Sequence, residues 1–317
     1  MGEFELIRRY FLPLAGDTRS AAVSLGPGDD CAIERLPTGT ELVFSIDTMV
    51  EGVHFPVQYD PARLAWRSLA AAASDLAAMG ADPVCFTLAL TLPEAGDDWL
   101  QAFAGGLGEA AKAFGLALAG GDTTRGPLSV TFQVHGTVPQ GQALLRSGAT
   151  PGDLVCVSGT LGDAGAALAL LERDPSTADA RYLLQRYHRP EPRLALGQQL
   201  RGRASAAIDL SDGLLADLGH ILAASGVGAD VDVSRLPLSD ALRRHAGSRA
   251  GALALRSGDD YELCATIPQA VWPALPETLR ERLTVIGEIS AQAGLRLQNA
   301  GAELAAGAGY DHFGDPS

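Results

Sequence analysis

Acidic residues in glycine-rich turns are the feature of this sequence most able to do chemistry. Asp29 and Asp30 are adjacent in GPGDDCA (26–32), and the pair recurs in GDDYE (258–262). Neighbouring carboxylates repel each other unless a cation lies beside them. Glycine lets the backbone approach a ligand closely. We therefore expect one carboxylate of such a pair to face a metal ion.

More aspartates follow predicted strands or lie near them: Asp47, Asp122, Asp209 and Asp212. A single aspartate at such a place is more often a helix cap or a turn residue. Asp75 differs, because it lies inside the helical stretch WRSLAAAASDLAAMG, where a buried charge requires a partner or a metal. Carboxylates without a Cys or His cluster indicate a hard cation such as Mg²⁺, whose usual partner is phosphate.

Charge and composition exclude several classes of protein. The net charge of −14 disfavours binding to nucleic acid and to an anionic membrane surface. The only lysine is Lys112, so the chain has no P-loop. Four scattered cysteines argue against both a zinc site and a disulfide framework, and the six histidines do not pair at ligand spacing. With no signal peptide or membrane span evident, we expect a cytoplasmic protein.

Strand-like and helix-like segments alternate, which predicts an α/β fold. Strands are expected at 41–48, 84–92, 116–120 and 128–138, and helices at 61–80 and 97–115. A turn-rich break at 147–153 precedes a second series of strands, including 153–159, 206–213 and GDDYELCATI. We therefore predict two domains, at 1–150 and 151–317.

Eight ordered motifs resemble the thiamine-monophosphate kinase family, over nearly the whole chain. They are GDDCA (28–32), SIDTMVEGVHF (45–55), SDLAAMGADP (74–83), GGDTTRG (120–126), RSGATPGD (146–153), DLSDGL (209–214), GDDYEL (258–263) and GYDHF (309–313). The resemblance implies the two-domain fold of aminoimidazole ribonucleotide synthetase. The N-terminal domain would bind ATP and Mg²⁺ and pair with its copy in a homodimer, and the C-terminal domain would be a second α/β domain. The implied reaction is ATP-dependent phosphorylation of thiamine phosphate to thiamine diphosphate.

The resemblance also implies roles for individual residues. The metal ligands would be Asp30, Ser45, Ile46 (through its carbonyl), Asp47, Asp75, Asp122, Asp209 and Asp212. Gly121, Asp122, Arg146 and Ser211 would contact ATP, and His54, Asp260 and Tyr310 would contact thiamine phosphate. The residues expected to carry catalysis are Asp30, Asp75, Arg146 and Asp212. Ile46 departs from the threonine frequent in relatives, which a backbone ligand tolerates.

Other readings stay open at this point. Selenophosphate synthetase is disfavoured because no Cys or Lys precedes Cys31, and a hydrogenase maturation factor because the chain ends GDPS. Aminoimidazole ribonucleotide synthetase fits poorly with EGVHF and GYDHF. A non-enzymatic, acidic metal-binding protein would show no ATP turnover.

Overall fold

The chain forms two compact units in the computed structural model, which describes residues 2–171, 173 and 175–300. The first unit holds the described residues up to Leu76 together with Ala81–Ala143. The second holds Ala77–Gly80 and the described residues from Leu144 onward. Among the residues described, no helix combines the length and the apolar composition that a membrane crossing needs.

The first unit begins with helical turns and continues as an α/β structure. Its elements in order are α1 (Glu3–Leu6), a π-helical turn (Ile7–Phe11), α2 (Leu12–Asp17), β1 (Val23–Leu25), β2 (Ile33–Glu34), β3 (Thr40–Val50), α3 (Pro61–Ala78), β4 (Asp82–Leu92), α4 (Asp97–Phe114), β5 (Ala117–Arg125) and β6 (Ser129–Pro139). Strands β1 and β2 pair antiparallel, and the other four form a sheet in the order β3-β6-β4-β5. The β4–β5 pair is parallel and the others are antiparallel.

Local sequence explains where the two long helices begin and end. Asp60 caps α3, because its carboxylate accepts a hydrogen bond from the Arg63 N–H at 2.8 Å, and Pro61 supplies the φ of the first turn. Helix α4 starts with Asp97 and Asp98 and ends before Gly115, which takes a left-handed φ of 69°.

Helices α3 and α4 pack against each other, and α3 covers one face of the sheet. A Cβ at Gly106 of α4 would collide with the backbone of Ala62, so glycine permits the close helix contact. Ser68 of α3 donates a hydrogen bond to the Met49 sulfur of β3 at 3.3 Å. Leu64, Leu69, Phe103 and Phe132 are fully buried in the core of this unit.

The other face of the sheet carries an exposed apolar stripe on β3. Alternate side chains of a strand point to the same face, and Leu42, Phe44 and Ile46 are 37%, 64% and 65% exposed. Exposed apolar side chains grouped in this way indicate a contact surface.

The second unit is built on a six-stranded mixed sheet. Its elements are β7 (Leu154–Ser158), α5 (Asp163–Ala167), α6 (Ala178–His188), α7 (Leu194–Leu200), β8 (Ala206–Asp209), α8 (Leu214–Ser225), β9 (Gly228–Asp232), α9 (Asp240–Ala246), α10 (Ala250–Arg256), β10 (Leu263–Ile267), α11 (Glu277–Arg280), β11 (Leu283–Ser290) and β12 (Gly294–Gln298). The strand order is β12-β9-β11-β7-β10-β8, and only the β12–β9 pair is parallel. The α/β fold prediction is confirmed.

Three details of the sequence-based prediction are wrong. Asp47 and Asp122 do not end their strands but lie within β3 and β5, because β5 continues through GGDTTR. The motif GDDYE precedes β10 rather than belonging to it. Its residues Asp259 and Tyr261 have φ values of 67° and 50°, which interrupt an extended strand.

Candidate active site

The loop between β1 and β2 presents the first aspartate pair to solvent. Gly28 has a φ of 125°, which turns the chain sharply just before the pair. The Asp29 carboxylate accepts a hydrogen bond from the backbone N–H of Asp30 at 2.8 Å and so holds the turn. Asp30 itself is exposed and accessible to a ligand, and its contact with a metal ion stays a prediction.

A cavity of about 260 Å³ opens beside this loop, and it brings three predicted site residues together. Asp30 lines it from the β1–β2 loop, and Gly121 and Asp122 line it from β5. Ile7 and Phe11 add an apolar surface from the N-terminal helical turns. A Cβ at Gly121 would collide with the Leu88 carbonyl oxygen, so glycine lets β5 approach β4 here. A cavity lined by glycines, carboxylates and apolar side chains suits a metal-bound nucleotide.

A second group of predicted ligands lies where β3 faces α3. The Ser45 hydroxyl donates a short hydrogen bond to the Asp75 carboxylate. Asp75 is half-buried, so the charge expected inside this helix has a hydroxyl partner. Asp47 lies two residues after Ser45 and therefore on the same face, whereas the Ile46 side chain points to the exposed face.

The sheet separates these two groups of carboxylates within one chain. Asp122 of β5 pairs in register with Ala89 of β4, and Ala89 pairs with Thr131 of β6. The Thr131 hydroxyl lies 2.9 Å from the hydroxyl of Thr48 on β3. Residues in register share a face, so Asp122 lies on the exposed face. Asp47, one residue before Thr48, points to the helix-covered face. The predicted ligands of the first unit therefore form two separate groups, one on each face of the sheet.

His54 lies in the turn after β3, half-buried. Its Nδ1 accepts a hydrogen bond from the Val50 N–H at 3.0 Å. Because Nδ1 accepts here, the proton of a neutral ring lies on Nε2. The ring is therefore held as a hydrogen-bond donor.

Two motif loops of the second unit pack together. The Asp259 N–H donates to the Ser211 carbonyl and the Tyr261 N–H to the Leu210 carbonyl, both at 2.9 Å. A Cβ at Gly258 would collide with the Ser211 carbonyl oxygen. The motifs DLSDG and GDDYE thus extend the β8–β10 pairing, with Asp209 buried at the last position of β8.

Asp212 does not cap α8, because the N-cap is Gly213 and makes no side-chain contact. Asp217, which the sequence analysis did not identify, stabilises the loop that contains Asp212. Its carboxylate accepts hydrogen bonds from the N–H groups of Asp212 and Gly213 at 3.1 and 3.0 Å. Burial raises the pKa of Asp217 to about 7.

The second aspartate pair differs from the first in its surroundings. Asp260 is buried, and its Oδ2 accepts a hydrogen bond from the Gly162 N–H at 2.7 Å. Burial raises its pKa well above the usual value. The contact of Asp260 with substrate stays a prediction, and its observed partner is backbone. Tyr310 lies outside the described residues.

Arg146 lies on an exposed turn that Ser225 holds in place. The Ser225 hydroxyl donates to the Arg146 carbonyl at 3.2 Å and accepts from the N–H groups of Gly148 and Ala149 at 3.2 and 3.1 Å. Gly148 has a φ of 122°, and a Cβ there would collide with the Ser205 carbonyl oxygen. The glycine of RSGATPGD thus shapes the turn that carries Arg146.

A buried ion network in the second unit was not predicted. Glu262 accepts hydrogen bonds from Arg193 (Nε at 2.7 Å and Nη2 at 2.5 Å), from Arg186 at 2.9 Å and from Ser158 at 2.5 Å. Burial acts to raise the pKa of Glu262, but the two guanidiniums hold it below its usual value. These residues are too far apart in the sequence for their spacing to indicate that they are in contact.

The chemistry of the donors in the first unit fits Mg²⁺. Asp30, Ser45, Asp47, Asp75 and Asp122 offer only oxygen atoms, which this hard cation prefers. Asp30 and Asp122 are exposed at the cavity, and exposed carboxylates can bind a cation that keeps part of its water shell.

Comparison with known proteins first defines the class. The family model "AIR synthase related protein, N-terminal domain" matches residues 28–138, and "AIR synthase related protein, C-terminal domain" matches residues 150–299. The chain therefore has the two-domain architecture of AIR synthase related proteins, as predicted from its motifs.

Individual relatives narrow this class. Thiamine-monophosphate kinase from Salmonella typhimurium (strain LT2) is 49% identical and covers 99% of each chain. A crystal structure of thiamine-monophosphate kinase from Stenotrophomonas maltophilia is 46% identical, covers 94% of this chain and 96% of that one, and superimposes with a TM-score of 0.86. The chain belongs to the thiamine-monophosphate kinase family.

One solved relative contains bound ligands. A structure of AaThiL complexed with AMPPCP and TMP is 29% identical, with a TM-score of 0.80, and covers 98% of this chain and 97% of that one. That protein binds an ATP analogue and TMP on the same fold.

Proposed function

We propose that the protein catalyses ATP-dependent phosphorylation of thiamine phosphate to thiamine diphosphate, a step of thiamine diphosphate biosynthesis. The observation that carries the proposal is the cavity that unites Asp30, Gly121 and Asp122. Family membership at 49% identity over the full chain, and the TMP complex of a relative, support the choice of substrate.

In this proposal the first unit binds ATP and Mg²⁺. Gly121 would place its backbone beside the nucleotide, and Ile7 and Phe11 provide apolar contact. The ligands for Mg²⁺ would be Asp30, Ser45, Ile46 (carbonyl), Asp47, Asp75 and Asp122. Bound Mg²⁺ would offset phosphate charge and align the reacting groups.

The proposal also assigns roles to residues of the second unit. We assign Asp209 and Asp212 to Mg²⁺ and Ser211 and Arg146 to ATP phosphates. Arg146 is the residue expected to stabilise charge in the transition state, because its exposed guanidinium can make paired hydrogen bonds to phosphate oxygens. His54, Asp260 and Tyr310 stay assigned to thiamine phosphate.

We further propose direct in-line transfer without a phosphoenzyme. The acceptor is a phosphate monoester whose second pKa is about 6, so it is mostly a dianion at neutral pH. It needs no strong general base to attack the γ-phosphorus. The chain's own residues therefore position two polyanions rather than move protons.

Two further expectations belong to this proposal. The exposed stripe of Leu42, Phe44 and Ile46 supports a homodimer formed through the N-terminal sheets, because such a stripe is stabilised by burial against a copy of itself. The four cysteines are all unpaired, which supports a reducing, cytoplasmic location.

An acceptor comparison tests the function. The purified protein is incubated with ATP and Mg²⁺ and, in parallel, with thiamine phosphate, thiamine or a nucleotide-type acceptor of the sister enzymes. We expect thiamine diphosphate from thiamine phosphate alone. ATP consumption with only the sister acceptor would indicate that the protein acts on the substrate of a sister enzyme with the same fold. No turnover with any acceptor would favour a non-enzymatic role.

A further inference from the structure

Three residues of the first unit, none of them assigned to the kinase reaction, have side chains that lie close together. They are Glu34 on β2, Cys85 on β4 and His135 on β6. Oε1 of Glu34 lies 2.6 Å from Nδ1 of His135 and 2.9 Å from Sγ of Cys85. One ligand atom from each residue lies within 4.8 Å of the others.

The fold rather than sequence spacing creates this cluster. Cys85 and His135 are register partners on adjacent antiparallel strands, so their side chains share a face. Glu34 reaches them from the short β1–β2 ribbon, 51 residues before Cys85 and 101 before His135. These separations explain why the cysteine and histidine spacing argued against a transition-metal site.

The donor set selects a borderline or soft divalent cation. A thiolate, an imidazole nitrogen and a carboxylate oxygen are together the ligands of zinc sites, whereas Mg²⁺ avoids sulfur. Cys85 is fully buried, and the Glu34 and His135 side chains are 17% and 19% exposed in the single chain. Burial and the nearby Glu34 raise the pKa of the Cys85 thiol, so metal binding would release its proton.

The distances from Glu34 to Cys85 and His135 are those of hydrogen bonds, and a small side-chain shift would bring them to the distances between ligands of one metal ion. In a tetrahedral zinc site with bonds of about 2.1 Å, nitrogen and oxygen ligands are about 3.4 Å apart. Separating Glu34 from His135 to that distance is a shift of under about 1 Å, within reach of a glutamate's terminal torsions. Three protein ligands leave a fourth position for water.

We propose that Glu34, Cys85 and His135 bind one Zn²⁺-type cation, which clamps β2 to β4 and β6. The clamp has a structural consequence, because the β1–β2 loop carries Asp29 and Asp30 to the cavity. Fixing Glu34 would fix the end of that loop. The site itself does not depend on the identity of the phosphate acceptor.

Metal titration of the full-length protein tests the proposal. Zn²⁺ is titrated against a chromophoric chelator in excess Mg²⁺, which occupies the all-oxygen sites. Co²⁺ is used in parallel, because a cobalt–thiolate bond gives a charge-transfer absorption band. The variants are Cys85→Ser, His135→Gln and Glu34→Gln. Cys31→Ser is the matched control, since Cys31 is the exposed thiol.

We expect one Zn²⁺ per chain in the wild type and in Cys31→Ser, with a thiolate–cobalt band in both. Affinity should fall at least tenfold in Cys85→Ser and His135→Gln, and the band should vanish in Cys85→Ser. The proposal is overturned if the wild type binds no Zn²⁺ in excess Mg²⁺, or if Cys31→Ser removes the binding instead. Should Cys85→Ser fail to fold, the wild-type cobalt spectrum and His135→Gln decide.

Discussion

The Ser45 hydroxyl on β3 donates a hydrogen bond to the Asp75 carboxylate on α3, thirty residues later in the chain. This contact joins the central helix to the edge strand at the point where two predicted metal ligands lie. It explains why a charged residue is stable in a helix of alanines and leucines: the carboxylate has a polar partner and remains half-buried.

Asp75→Asn should reduce turnover by on the order of a hundredfold to a thousandfold, because the amide is a poor ligand for Mg²⁺. The melting temperature should change little, since asparagine can still accept the Ser45 hydrogen bond. Steady-state kinetics at saturating ATP measures the effect. Ser74→Ala is the matched control: its buried hydroxyl has no partner among the described residues, and the variant should keep its activity. Wild-type turnover of Asp75→Asn would remove Asp75 from the metal site.

Gly121→Ala should destabilise the first unit by about 1–3 kcal/mol and weaken ATP binding, because the new methyl group collides with the Leu88 carbonyl. Gly120→Ala provides the comparison, since a Cβ there meets only the Thr87 methyl at 4.0 Å. Chemical denaturation and nucleotide titration of both variants measure the difference. Equal stability of the two variants would mean that β5 can move away from β4 without cost.

Glu262→Gln should destabilise the second unit by about 2–4 kcal/mol, because Arg186 and Arg193 lose the buried anion they share. Arg186 keeps Asp163 at 3.6 Å, and Arg193 keeps Glu191 at 3.4 Å. The lowered pKa of Glu262 adds a pH signature. Its stabilisation is fully present above the unfolded carboxyl's pKa of about 4.3 and is lost as the pH falls through the folded value.

The wild type should therefore lose stability in acid more steeply than Glu262→Gln, as followed by urea denaturation between neutral and acid pH. Asp179→Asn, which breaks the exposed pair with Arg244, serves as the control and should shift the melting temperature far less. Parallel acid curves for the wild type and Glu262→Gln would contradict the role given to this ion pair.

Phe44→Asp should weaken dimerisation by about a hundredfold or more, because it places a charge in the centre of the exposed stripe. Sedimentation velocity over a range of concentrations measures the dissociation constant. Val57→Asp is a matched control in the same unit, since Val57 is 69% exposed but outside the sheet. A monomeric wild type, or equal loss in both variants, would rule out this interface.

Motifs and periodicity were sufficient for the α/β class. They also singled out Asp30 and Asp122, which line one cavity, and the binding of a metal or nucleotide there stays a prediction. The pattern in GGDTTRG predicted that Asp122 faces a ligand, although β5 extends further than expected. Sequence could not separate Asp47 from Asp122, because the face that each residue occupies depends on register across four strands. The sequence also could not predict that Asp260 is buried while Asp30 is exposed, because each is the second aspartate of a Gly-Asp-Asp motif.

Contacts between distant segments were beyond sequence reasoning for a similar reason. Glu262 meets Arg193 only because β10 brings it beside the segment before α7, and no local pattern encodes that meeting. Asp217 was missed because its carboxylate holds the backbone of a loop rather than lying in a motif.

Product stoichiometry is the most direct test of the proposed reaction. The protein is mixed with ATP, Mg²⁺ and thiamine phosphate, and the nucleotide and thiamine products are quantified together by chromatography. We predict ADP and thiamine diphosphate in equal amounts, with neither formed when thiamine replaces thiamine phosphate. ADP released with inorganic phosphate and without thiamine diphosphate, or thiamine diphosphate formed from thiamine together with AMP, would contradict γ-phosphoryl transfer to thiamine phosphate.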